Sequence, residues 1–67
     1  MAADAYILTA LARGPKVPGE VLRGRPAGVL ADDYRQALLG LIMDGRVLVA
    51  RDWLGRPTML RLAGDHR

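Results

Sequence analysis

The chain contains no cysteine, serine, asparagine or phenylalanine, and only one histidine (His66) and one lysine (Lys16). Without cysteine there is no disulfide, no thiolate nucleophile and no cysteine-ligated zinc, and a lone histidine cannot supply the several ligands most transition-metal sites require. Serine and cysteine nucleophiles are excluded outright. The two threonines, Thr9 and Thr58, have no histidine near them in sequence to act as a base. No enzyme, metal site, cofactor or small-molecule ligand is therefore expected. No apolar run approaches the ~20 residues that span a bilayer, and no charged stretch followed by an apolar one opens the chain as a signal peptide would. The expectation is a cytoplasmic protein with no membrane contact.

What remains is 67 residues, enough for a single domain over 1–67. A domain of that size buries only about 60% of the surface its unfolded chain exposes. Hydrophobic residues make up 51% and charged residues 25%, the composition of a chain with a core and not of a disordered tail. Nine arginines and one lysine oppose seven acids, leaving a formal charge of +3, which points to a polyanionic partner. A coding bias toward G and C would raise the arginine count without any function behind it, so the placement of the charges has to decide.

Glycine and proline divide the chain into four pieces. From Ala2 to Arg13, Ile7, Leu8 and Leu11 fall on one helical face with Ala12 beside them, Asp4 is a candidate N-cap, and Gly14-Pro15 ends the helix. Pro18 stands like a first-position helix proline, with Glu20 in the first turn and Val21-Leu22 before Gly24, which reads as a short second helix. From about Leu30 to Asp44 a third helix is predicted, with Asp32 or Asp33 near its start and Gly45 just past its end. Leu30, Tyr34, Ala37, Leu38, Leu41 and Ile42 form its core-facing stripe, and Gly40 is either a propensity cost or a point of close contact. Arg46–Asp52 and Thr58–Ala63 read as two strands joined by Trp53-Leu54-Gly55-Arg56-Pro57, a β-hairpin. Leu60 and Leu62 share one face, Met59 and Arg61 the other. The predicted core is Leu8, Leu11, Leu22, Leu38, Leu41, Val47 and Leu62.

This α+β order, mainly α with three helices before a C-terminal hairpin, resembles the winged helix-turn-helix superfamily. The stretch E-V-L-R-G-R resembles its second helix and glycine-bearing turn, and A-L-L-G-L-I-M-D-G-R-V-L-V-A-R-D the end of its third helix running into the first wing strand. W-L-G-R-P-T-M-L-R-L is similar to the wing turn and returning strand of compact bacterial regulators of the MarR and PadR types. The resemblance covers Ala5 to Leu62. It implies a three-helix bundle whose third helix lies in the major groove of double-stranded DNA while the wing touches the backbone or minor groove, the work of a transcriptional regulator or architectural factor.

The residues partly agree with that expectation. Arg23 and Arg25 cluster with Lys16 around the second helix, and Arg51, Arg56 and Arg61 are spread over the hairpin where phosphates would be met. On the third helix, opposite the core stripe, Asp32, Gln36, Leu39 and Met43 form a line flanked by Arg35 and Gly40. Gln36 can read adenine bidentately and Arg35 can reach guanine or a phosphate. Asp32 would meet phosphates unfavourably, however, and Leu39 with Met43 is apolar where the family has polar or basic groups. Either these two complete a thin core, or they are exposed and, with Trp53, serve a protein contact: a homodimer, or a partner such as a host protein bound by a phage or mobile-element factor. Trp53 itself either contacts a partner from the wing tip or packs back over the hairpin.

Overall fold

The computed structural model describes residues 2–64; His66 lies outside them. Three helices and a two-stranded antiparallel sheet follow one another as α1 (Ala2–Leu11), α2 (Pro18–Arg23), α3 (Ala31–Met43), β1 (Val47–Arg51) and β2 (Pro57–Leu62). The architecture is α+β, with the hairpin after the helices as the punctuation predicts. No helix among the described residues is long and apolar enough to cross a membrane.

The core forms where the apolar stripes meet. Ala3, Ile7 and Leu11, four residues apart, bury one line of α1 against Tyr34 and Leu41 of α3, Val21 of α2, Val29, and Val47 and Leu60 of the hairpin. Of the predicted core, Leu11, Leu41 and Val47 are fully buried, while Leu8, Leu22, Leu38 and Leu62 are half-buried and pack against its edge. Leu8 and Leu62 border an open groove with Gly45, Arg46 and Ala63, which is why neither is sealed.

Several boundaries differ from the sequence reading. Asp4 lies inside the first turn of α1 and is not its N-cap, and α1 ends at Leu11, two residues before Arg13, in a turn closed by Gly14 N–H on the Leu11 carbonyl at 3.0 Å. Leu30 is not on the core stripe but 63% exposed. It is the N-cap of α3, with extended backbone and its carbonyl accepting from Tyr34 N–H, so the helical wheel does not yet apply to its side chain. The strands start and stop one residue inside or outside their predicted limits, and the register slips between Ala50 and Arg51, so Thr58 has no cross-strand partner and its hydroxyl donates to the Ala50 carbonyl.

Helix ends are closed by specific bonds. Gly45, at φ +78, lets α3 stop in a Schellman turn in which Gly45 N–H donates to the Ile42 carbonyl and Arg46 N–H to the Leu41 carbonyl. Pro18 opens α2 as predicted. At the other end of α2 the orphan carbonyls are taken by side chains from elsewhere: Tyr6 Oη donates to Val21 O at 2.6 Å, and Arg25 Nη1 to Leu22 O at 2.8 Å. Tyr34 Oη reaches Pro18 O at 3.3 Å, so α2 is tied by one phenol of α1 and one of α3.

An element the pattern does not reveal is the pairing of Lys16 with Leu60. Their N–H and C=O groups exchange bonds at 2.9 and 2.7 Å, placing the α1–α2 connection as an extra edge beside β2. Prolines at 15 and 18 keep this segment extended, but a single bridging residue leaves no period to read.

Burial raises the Tyr34 phenol above the ordinary tyrosine value, with the nearby Tyr6 phenol adding to the effect. Because the folded state then holds this proton more tightly than the unfolded state does, Tyr34 makes no pH-dependent contribution to stability below about pH 10 and lowers stability as pH rises past it. Thermal melts followed by circular dichroism should show that alkaline loss, and it should shrink in Tyr34→Phe. An undiminished loss in the variant would place its cause elsewhere.

Candidate functional site

Two surfaces of opposite chemistry lie on consecutive elements. The first is the outer side of α3. With Tyr34 and Leu41 buried, the opposite face carries Asp32, Arg35, Gln36, Leu39 and Met43, and Leu39 is 58% and Met43 77% exposed. They do not complete the core. Arg35 Nη1 sits 3.2 Å from Asp32 Oδ1 in an exposed i,i+3 pair, an interaction worth only a few tenths of a kcal/mol. Gln36 borders an open groove between α1 and α3 whose other polar residues are Asp4, Asp33 and Asp44. Gly40 faces open space, so it makes no close contact within the chain. Residues 31–44 hold three aspartates and one arginine, a formal balance of −2.

The second surface is the hairpin. Residues 46–61 hold four arginines and one aspartate, a balance of +3. Val47, Val49, Leu60 and Leu62 turn toward the helices, and Leu48, Ala50, Met59 and Arg61 face outward. Arg61 makes no ion pair among the described residues.

At the far end, Asp52 organises the turn. Its Oδ1 accepts from Leu54 N–H and Arg56 N–H, both at 2.9 Å, its backbone carbonyl accepts from Gly55 N–H at 2.9 Å, and its own N–H donates to Arg56 O at 3.0 Å. Arg51 Nη1 donates to Gly55 O at 3.0 Å, Arg56 Nε lies 3.5 Å from Asp52 Oδ2, and Gly55 takes φ +82. Trp53 and Leu54, the two central residues of this turn, are 89% and 52% exposed. Trp53 therefore does not pack back over the hairpin.

The remaining arginines have different duties. Arg25 is half-buried and donates through Nε to Val29 O at 2.9 Å as well as to Leu22 O, bracing the α2–α3 connection. Arg23 is exposed on the last turn of α2 and, with Arg25, borders a shallow depression lined also by Pro26, Ala27 and Leu30. Lys16 opposes Leu60 across an antiparallel pair and so turns to the same side, toward Tyr6, Thr9 and Arg13 of the α1 region and away from Arg61.

No family model, curated protein or solved structure matches this chain. Among the described residues no three His, Cys, Asp or Glu side chains gather to hold a metal. Two features of the site went unread in the sequence: Leu54, and Asp52 as the organiser of the turn. Asp-x-x-Gly over 52–55, with aspartate first and glycine fourth, is the signature of a type I turn and was the signal available.

Proposed function

We propose that this chain is a winged-helix module that binds duplex DNA chiefly through its hairpin and offers the outer face of α3 to a protein, acting by occupancy as a regulator or architectural factor, without catalysis or cofactor. The observation that carries the reading is the separation of charge: −2 on α3 and its end, +3 on the adjacent hairpin. A helix entering the major groove lies between two phosphate backbones. There the outer face would present Asp32, already paired with Arg35, and the apolar Leu39 and Met43, while Asp33 and Asp44 on the α1–α3 groove side add to the repulsion. The arginines at 51, 56 and 61, with Arg46, suit phosphates. The order of helix, extended bridging residue, helix, helix and hairpin supports the winged-helix assignment.

Four hairpin arginines allow at most about four phosphate contacts, so log K should fall against log salt with a slope on the order of −3 to −4. Fluorescence anisotropy of a labelled duplex across a salt series measures it. Duplex binding that is absent even at low salt overturns the DNA reading and leaves the α3 face, used for protein docking alone, as the function; that second reading is favoured by the exposure of Leu39 and Met43.

So few contacts give a single copy modest affinity, and a protein docked on α3, a second copy included, would supply the rest. Burying each of these side chains contributes about 1.5–3 kcal/mol. Replacing Leu39 and Met43 together by Glu is expected to leave the circular dichroism spectrum and melt unchanged while abolishing any self-association seen for the wild type by sedimentation velocity. Loss of fold in the double variant would contradict the exposure on which the proposal rests.

A further inference from the structure

The end of the hairpin spends an aspartate, two arginines and a left-handed glycine on fixing a turn that supports nothing behind it. Beyond Val49 on β1 and before Leu60 on β2 no hydrophobic side chain is turned inward, so the last residues of both strands stand clear of the body. What the turn does is hold Trp53 and Leu54 outward in water, a placement that gains only when both side chains enter something apolar. Directly behind them, one on each side of the turn, stand Arg51 and Arg56, whose guanidinium groups lie against Gly55 O and Asp52 Oδ2. The surface is thus two exposed apolar side chains flanked by two arginines, with Asp52 as the counter-ion of Arg56 leaving a balance of +1 over residues 51–56.

We propose that Trp53 and Leu54 form a wedge that enters the minor groove of duplex DNA and unstacks one base step, with Arg51 and Arg56 on the phosphates to either side. The inference rests on the hairpin's contact with DNA. The complementary partner is negative along two lines with a flat apolar stack between them, which is the cross-section of a minor groove. That groove is about 6 Å wide and strands lie about 4.8 Å apart before side chains are counted, so the paired strands fill or exceed it, whereas the turn narrows to Trp53 and Leu54 at its tip. Apolar side chains pushed between base steps kink the duplex toward the major groove, and indole faces stack on bases. An anionic bilayer also joins negative charge to an apolar interior, but it rewards a broad apolar patch. Here the next outward apolar side chains, Leu48 and Met59, stand behind the two arginines and cannot reach the same depth.

Trp53 is the only tryptophan in the chain, so its emission reports the tip directly. The full chain is titrated with an unlabelled duplex while Trp53 emission is followed, with anisotropy of a labelled duplex measuring occupancy and end-to-end energy transfer on a doubly labelled duplex measuring its bend. Vesicles of phosphatidylcholine and phosphatidylserine form a parallel arm. The expected result is loss of Trp53 emission in step with occupancy and a bend of roughly 20–90°. In Trp53→Ala and Leu54→Ala, both folded by circular dichroism, the bend should be lost while the salt slope set by the arginines is kept, and Trp53→Phe should restore part of it. Duplex binding with unchanged emission and a straight duplex overturns the wedge and leaves the DNA reading standing. Binding to neither duplex nor vesicle, or a blue shift on vesicles alone, overturns both.

Discussion

Leu41→Ala is expected to lose about 2–5 kcal/mol of stability, the transfer and cavity cost of truncating a buried leucine. Leu41 is 2% exposed, packed where α3 meets α1 and β1, and its carbonyl also accepts the Arg46 N–H that closes the α3 terminus. A domain below about 70–80 residues rarely holds more than 3–5 kcal/mol in its core, so the variant should be largely unfolded at 37 °C. Leu39→Ala is the matched control: same helix, same chemistry, opposite face, and a change within about 0.5 kcal/mol, as for other exposed sites. Urea melts of the two variants separate them. Equal stabilities would mean that α3 packs on a different side.

The second large effect belongs to the hairpin arginines. Arg61→Ala, which breaks no internal bond, should flatten the salt slope of duplex binding by about one unit and weaken binding alike for all sequences. Arg51→Ala and Arg56→Ala should each do the same and also loosen the turn, because these residues hold Gly55 O and Asp52 Oδ2. The triple variant should keep its fold, since none of the three is buried, and lose duplex binding at physiological salt. Gln36→Ala should leave affinity and sequence preference unchanged. A changed preference would place α3 in the major groove and return the base-reading role to that helix.

The helices and the hairpin were legible because their signals are local. Pro18 at a helix start, Gly45 past a helix end and the alternation of Leu60 and Leu62 with Met59 and Arg61 each act within a few residues. The core was read only in part, since burial depends on which elements close over a side chain: Val21, Val29 and Leu60 are sealed by elements distant in sequence, whereas Leu8 and Leu62 fall at an open groove. The site divided in the same way. The wheel placed Leu39 and Met43 opposite the core, but whether anything covered them was a tertiary question. Nor could the wheel show that Arg25 is consumed by the carbonyls of Leu22 and Val29, a role set by a loop conformation that no periodicity encodes.

The central claim is that DNA meets the hairpin and not the outer face of α3. Amide chemical-shift mapping of the labelled chain on titration with a short duplex at low salt tests it most directly. Perturbations concentrated on residues 46–61, with Asp32 to Met43 silent, are the predicted result; perturbations centred on Asp32, Arg35, Gln36 and Leu39, with the hairpin turn unmoved, would contradict it.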